Sequence, residues 1–278
     1  MANKAILFDA TKCTACRGCQ VACKSWNERE AVKTTCQGTI ENPPDLSPQT
    51  WIKMEFREVG NNGDLRWLFT RRACMHCTDA ACVKVCPTGA LFYHSLGFVS
   101  YDRGKCSGCG YCSQFCPFNV PRLNTNRVTG KGLMDKCTAC TTSGLDRIDN
   151  VDNVGNELTP ACVKTCPTGA LTYGNRDELI TTGSAKVQQL VVQGRKKAYL
   201  YGENEAGGTH VLYVLDDSPS VYGIVENPKV PVAATAWENI VKPAGYAIAG
   251  LAALGLLMNV MVARINLRRK EKKEKGGK

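Results

Sequence analysis

Apolar positions along the chain fall into several short runs and one long one. Residues 51–56 and 65–69 read as short strands, set among the turn-forming Asn42-Pro43-Pro44 and Asn61-Asn62-Gly63. Between residues 176 and 200 the spacing predicts a helix, with Val187, Leu190 and Val191 on one face and Ser184 as its N-cap. Residues 209–215 read as another strand. The long run, residues 244–263, has twenty residues without a charge. As a helix rising 1.5 Å per residue it spans about 30 Å, the thickness of a bilayer's hydrocarbon core. It predicts a transmembrane helix, flanked by Trp237 and Lys242 on one side and a basic tail on the other. Gly245, Ala249 and Ala253 repeat every four residues, a face suited to packing against another membrane helix.

Composition changes this picture little at first. Of 278 residues, 44% are hydrophobic and 22% charged, near globular averages, which excludes disorder, collagen and a multi-span membrane protein. The formal net charge is +10, of which residues 264–278 hold +6. An excess beside a membrane span is positive-inside flanking, so no nucleic-acid partner is expected.

Cysteine changes it decisively. Sixteen of the 17 cysteines form four groups of four. Cys13, Cys16, Cys19 and Cys23, and Cys106, Cys109, Cys112 and Cys116, both read C-x2-C-x2-C-x3-C. Cys74, Cys77, Cys82 and Cys86 widen the middle gap to four residues, and Cys137, Cys140, Cys162 and Cys166 widen it to twenty-one. Pro87, Pro117 and Pro167 follow three of the groups; Lys24 follows the first and leaves that turn less rigid. An odd count at such short spacings argues against a disulfide framework, and buried spectator thiols do not come in quartets. Zinc knuckles pair their cysteines across a spacer and need no third cysteine at the same step. The spacing is instead that of bacterial ferredoxins, in which three cysteines curl around one [4Fe-4S] cluster and the fourth reaches a neighbouring one. Small residues, Ala15, Gly18, Gly108, Gly110 and Ala139, leave backbone N–H groups free to approach cluster sulfurs.

Repetition points the same way. Residues 81–93 and 161–173 match at eleven of thirteen positions, and Lys12-Cys13-Thr14-Ala15-Cys16 recurs as Lys136-Cys137-Thr138-Ala139-Cys140. Four half-ferredoxins predict two ferredoxin-like domains and four clusters. Spacing alone leaves open which halves pair. At about −2 per oxidised cluster, four would bring the remaining +4 of the chain to about −4. His76, His94 and His210 are isolated and read as structural, although His76 lies between two ligands and is placed to tune a potential. Cys36, the seventeenth cysteine, reads as a spectator, and no catalytic constellation stands out.

With Cys19-Gln20-Val21-Ala22-Cys23, Trp26-Asn27, Asn42-Pro43, Asp45-Leu46-Ser47, Met75-His76-Cys77, Cys116-Pro117-Phe118-Asn119-Val120-Pro121-Arg122 and Gly207-Gly208-Thr209-His210-Val211, nearly the whole chain resembles the iron-sulfur beta subunit of membrane-bound formate dehydrogenase. The resemblance implies an α+β fold of two nested ferredoxin-like dicluster domains plus one C-terminal transmembrane helix. One cluster then takes Cys13, Cys16, Cys19 and Cys166, and its neighbour Cys137, Cys140, Cys162 and Cys23. The inner pair takes Cys74, Cys77, Cys82 with Cys116, and Cys106, Cys109, Cys112 with Cys86. The similar nitrate reductase subunit has a tryptophan at one position of the third group and a three-iron cluster there; with Cys109 present, four [4Fe-4S] clusters are expected.

The implied organisation is an outer domain of residues 1–36 and 132–180, an inner domain of 70–131 and a covering insertion at 37–69. An extension and linker follow at 181–243, then the span at 244–263 and the tail at 264–278. The implied function is a non-catalytic electron relay. Its partners are a molybdenum or tungsten pterin catalytic subunit that oxidises formate, a cytochrome b-type integral-membrane subunit that serves quinone, and membrane lipid. A similar subunit of a hydrogenase or another molybdopterin oxidoreductase is the alternative, and a zinc-structured membrane scaffold a second. Arg264, Arg268, Arg269, Lys270, Lys272 and Lys273 predict a cytoplasmic C-terminus and a head on the outer, periplasmic face. Residues 1–20 contain no apolar signal core, so the head is expected to cross with a catalytic subunit carrying a twin-arginine signal.

Overall fold

The computed structural model describes residues 3–36, 38–60, 65–125, 132–141 and 159–275, with side chains of the last helix described as far as residue 268. The Asn61-Asn62-Gly63 turn, residues 142–158 and the side chains of the tail beyond Arg268 lie outside them. The chain divides into two units, Met1–Pro231 and Val232–Lys278.

In the first unit every cysteine group is framed by strands or short helices. Strand β1 (Lys4–Asp9) leads into the first group, whose loop continues as helix α1 (Gly18–Trp26). The hairpin of β2 (Lys53–Val59) and β3 (Arg66–Arg72) leads into the second group, followed by α2 (Ala81–Lys84) and β4 (Leu91–Tyr93). The third lies among β5 (Val99–Tyr101), α3 (Tyr111–Gln114) and β6 (Arg122–Thr125); the fourth among β7 (Gly132–Asp135), α4 (Ala161–Lys164) and β8 (Leu171–Asn175). Helix α5 (Arg176–Val192) and strands β9 (Tyr199–Tyr201) and β10 (Val211–Leu215) complete the unit.

A four-stranded sheet in the order β8-β1-β10-β9 forms its spine. β1 runs antiparallel to β8, with Ile6 opposite Tyr173, and parallel to β10, with Phe8 opposite Tyr213. Both faces are buried, which is why β1 and β10 are almost unbroken apolar runs. Ile6, Phe8, Val211, Tyr213 and Leu215 face a core that includes Cys23, Cys74, Cys137 and Cys162. Ala5, Leu7, Leu212 and Val214 face α5 through Leu179 and Leu190. Each such aliphatic or aromatic side chain contributes about 1.5–3 kcal/mol on burial. Residues 199–215, read from sequence as part of an extension, therefore complete the spine. The β2–β3 hairpin adds Met54 and Leu68 to the same core, as do the preceding Trp51 and Ile52.

The elements pair from the outside in. β1 and β8, beside the first and fourth groups, share the sheet, and α1 packs on α4. β4 and β5, between the second and third groups, form their own ladder, and α2 packs on α3.

Helix α5 starts at Arg176, eight residues before the expected cap. Asn175 is the N-cap, its side chain accepting the Asp177 N–H at 3.1 Å, with Asp177 and Glu178 in the first turn. That acidic first turn suits the helix dipole, and Ser184 is left inside the helix. Leu190 is buried as expected, whereas Val191 is exposed.

The second unit is a continuous helical run: α6 (Val232–Ala236), a π-helical turn at Trp237–Val241, then α7 (Lys242–Lys275). Val232–Arg268 is long and apolar enough to cross a membrane, its most apolar stretch of 18 residues having a mean hydropathy of 2.0. The uncharged residues 244–263 lie inside α7, which continues into the basic tail because Lys, Arg and Glu are good helix formers.

Candidate metal centres

Each group starts with a C-x-x-C loop whose second intervening residue is left-handed: Ala15 at φ 53°, His76 at 50°, Gly108 at 75° and Ala139 at 54°. That conformation turns the loop's N–H groups toward the thiols. The Ala15 N–H donates to Cys13 Sγ at 3.4 Å, the Ala139 N–H to Cys137 Sγ at 3.4 Å, and the Gly18 N–H to Cys16 Sγ at 3.5 Å. Acidic caps fix the entry into two of the loops. Asp9 accepts the Thr11 N–H at 3.0 Å before Cys13, and Asp102 the Gly104 N–H at 2.9 Å before Cys106.

Cys23, Cys137, Cys140 and Cys162 are all buried and line one pocket; Cys86, Cys106, Cys109 and Cys112 line another. The Cys13 thiol feels Cys16 and Cys166, and Cys19 feels Cys13 and Cys16. Cys77 feels Cys74, Cys82 and Cys116. The thiols thus face one another. Among the described residues no three His, Cys, Asp or Glu side chains converge as a single ion requires. Thiols set facing one another in fours have the donor chemistry of a multi-atom iron-sulfur cluster.

Burial pushes the Cys74 thiol up to about 11 and Cys19 and Cys112 up to about 12. Thiols this close in a low-dielectric interior ionise together around a multivalent cation, which is what cluster iron supplies. The two repeat copies treat their last cysteine differently. Burial opposes ionisation of Cys86, but the N–H groups of Leu91, Ala90 and Thr88 and the Thr88 hydroxyl hold its thiol below the ordinary value. Leu171, Thr168 and Ala170 do the same for Cys166. The repeated Pro-Thr-Gly-Ala-Leu therefore folds into a cup of donors for one thiolate. The repeat was visible in sequence; the task of Thr88 and Thr168 was not.

Cys23 lies within α1, because without a proline after it the helix runs on to Trp26. The helix, rather than a turn, supplies the rigidity there. Cys36 is exposed and lines neither cysteine pocket. His76 is buried, accepts the Val99 N–H on Nδ1 at 3.1 Å and packs edge-on to Phe98. Its neutral ring is a structural brace, as is that of His210, whose Nδ1 lies 2.7 Å from the Lys4 carbonyl oxygen.

Residues 12–90 and 65–176 each match the family model of a 4Fe-4S dicluster domain. The chain is 42% identical to the formate dehydrogenase iron-sulfur subunit of Haemophilus influenzae, across 88% of this chain and 76% of that protein. It is also 42% identical to the iron-sulfur subunit of the nitrate-inducible formate dehydrogenase of Escherichia coli (strain K12), across 87% and 79%. The hydrogenase-2 operon protein HybA of Escherichia coli O157:H7 is 32% identical, across 81% and 73%. Cysteine loops that face one another, two dicluster matches and relatives that span most of the chain converge on one conclusion: it belongs to the formate dehydrogenase iron-sulfur subunits, electron-transfer proteins, and holds four [4Fe-4S] clusters.

Proposed function

We propose that the chain relays single electrons from a formate-oxidising molybdenum or tungsten catalytic subunit to a cytochrome b-type membrane subunit and quinone. The supporting observation is the order of the thiol sets. Cys13, Cys16, Cys19 and Cys166 form the first ligand set, with Cys16 exposed. Cys19 in turn feels Cys162 of the second set, Cys23, Cys137, Cys140 and Cys162. Cys74, of the third set with Cys77, Cys82 and Cys116, feels Cys137. Cys82 feels Cys112 of the fourth, which has Cys106, Cys109 and Cys86 and reaches the surface at exposed Cys109. Two surface-reaching ends joined through a buried middle make a wire. The nesting divides the head into an outer domain, residues 1–36 and 132–180, and an inner domain, 70–131, covered by 37–69.

The clusters supply the one-electron chemistry. The protein positions them, excludes water and tunes them through N–H donors such as those of Ala15, Gly18 and Ala139. The apolar helix anchors the relay beside its membrane partner, and the positive-inside rule places the head on the outer face.

The anaerobically purified complex tests this reading. Analysis should find about sixteen non-haem irons and sixteen acid-labile sulfides from each chain of this subunit, counted as four clusters of four, and formate should deliver one electron to each cluster. Stoichiometric zinc with little sulfide would sink it. Likeness to HybA favours a second reading, service to a hydrogenase, in which hydrogen rather than formate reduces the clusters. Protease added to intact spheroplasts should cut the head and spare a C-terminal tag; the reverse pattern places the relay inside the cell.

A further inference from the structure

Two buried cations stand among the thiols. Arg71, in β3, is 1% exposed; its Nη2 lies 3.8 Å from Cys162 Sγ, and its Nε and Nη1 are buried without a hydrogen-bond partner. Its charge meets Cys162 and Cys137 of one ligand set and Cys19 of the next. Lys136 is equally buried, donating to the Val99 carbonyl at 2.5 Å and the Cys137 carbonyl at 2.9 Å. Its charge reaches Cys74, Cys82 and Cys116. Among the described residues neither forms an ion pair with Asp or Glu.

A buried charge with no counter-charge is costly, so each needs an anion nearby. The repeat makes the point for Lys136. At the same position before a first cysteine, Lys12 and Lys105 have side chains 53% and 65% exposed and pair with Asp9 and Asp102. The acidic neighbour of Lys136, Asp135, is taken by Arg29, Arg103 and the Tyr101 hydroxyl. That leaves Lys136, held by two carbonyl oxygens and 5.9 Å from the Tyr101 ring centre, with the thiols as its anionic neighbours. Among the described residues, the main influences on Cys112 of the set Cys86, Cys106, Cys109 and Cys112 are burial, its neighbouring thiols and a backbone N–H, with no cation among them.

One-electron reduction takes a four-thiolate cluster from about −2 to about −3, so a fixed positive charge stabilises the reduced form more than the oxidised one and raises the potential. Resting on the ligand sets of the proposed function, we propose that Arg71 and Lys136 are potential-setting residues. Arg71 raises the potentials of the two clusters held by Cys13, Cys16, Cys19, Cys166 and by Cys23, Cys137, Cys140, Cys162. Lys136 raises that of the cluster held by Cys74, Cys77, Cys82 and Cys116. The fourth cluster takes no such help.

The test is an EPR-monitored potentiometric titration of the intact complex, with dithionite as reductant and ferricyanide as oxidant, alongside iron analysis. Arg71→Met should lower two of the four midpoints, Lys136→Met a third, and neither should move the fourth. Each shift should be about tenfold in the reduced-to-oxidised ratio, about 59 mV for one electron. Arg71→Lys keeps the charge and should stay near wild type. Unmoved midpoints at full iron content, or equal shifts in Arg71→Lys and Arg71→Met, overturn the assignment and leave the ligand sets standing. Fewer than about sixteen irons in the wild type would overturn the ligand sets instead. Should Arg71→Met lose iron, Arg71→Lys decides: wild-type midpoints support the role of the charge, and shifted midpoints or lost iron refute it.

Discussion

Asn27 grips Cys23 at two atoms, its side-chain amide donating to the Cys23 carbonyl at 2.7 Å and to Cys23 Sγ at 3.6 Å. The Asn27 backbone N–H reaches the same carbonyl at 3.1 Å, closing α1 just beyond the ligand. Asn27→Leu keeps the volume and removes both side-chain bonds. We expect a loss of about 1–3 kcal/mol and a lower midpoint for one cluster, since N–H donors to ligand sulfur favour the reduced state. Thermal unfolding and a redox titration measure the two effects; an unchanged midpoint would make Asn27 a helix stop only.

Gly108 sits at the left-handed loop position that alanine fills in two other groups, so its φ of 75° alone does not demand glycine. What demands it is contact: a Cβ there would lie 2.0 Å from the Gly132 carbonyl oxygen, in the strand beside it. Gly108→Ala should therefore push β7 away and cost the protein one cluster, about four irons. Ala15→Gly and Ala139→Gly relieve the left-handed strain while adding freedom to the unfolded chain, so they should change stability by no more than about 1 kcal/mol and retain all iron. Iron counts on the three variants decide between contact and conformation.

Cys109→Ser should disturb one cluster, and Cys36→Ser none. Both residues are exposed, so exposure does not separate them; Cys109 lines a thiol pocket with Cys86, Cys106 and Cys112, and Cys36 does not. A three-iron signal or a lost signal in the Cys109 variant, beside four intact signals in the Cys36 variant, is the expected pair of spectra. The opposite pair would refute the ligand set.

What the sequence made legible was local. Cysteine steps of two and three residues define loops whatever surrounds them, and an uncharged run of twenty residues needs no tertiary context. The pairing of β1 with β10 depends on residues some two hundred positions apart, and nothing in either strand names its neighbour. Arg71 was hidden for a related reason. In the run Arg66-Trp67-Leu68-Phe69-Thr70-Arg71-Arg72 a charged residue near the end of a strand reads as solvent-facing, and only the fold turns it onto the thiols. The helix cap was misplaced because Ser184 and Asn175 are both cap residues, and the acidic pair after Asn175 was the better signal.

Acid should loosen the insertion before it unfolds the head. Glu41 receives Lys53 Nζ at 2.5 Å on one oxygen and the Phe56 N–H at 2.8 Å on the other, tying the first part of the insertion to β2 within it. Burial works against the Glu41 carboxylate, but Lys53, the Phe56 N–H and Arg57 together hold its pKa below the ordinary 4.5. A carboxylate depressed in the folded state contributes its full stability above the unfolded value, near 4.5, and loses it as pH falls through the lower folded value. Glu41→Gln keeps an acceptor for Phe56 and removes the charge. At pH 7 the wild-type Phe56 amide should exchange about fivefold more slowly than in this variant, corresponding to about 1 kcal/mol for a partly exposed pair. The ratio should fall toward one below pH 4.5, because protonation makes the wild type resemble the variant. Hydrogen exchange measured on both proteins at each pH cancels the intrinsic pH dependence of exchange. A ratio that stays constant from pH 7 to pH 3 would show that the hydrogen bonds, and not the Glu41 charge, hold the two parts of the insertion together.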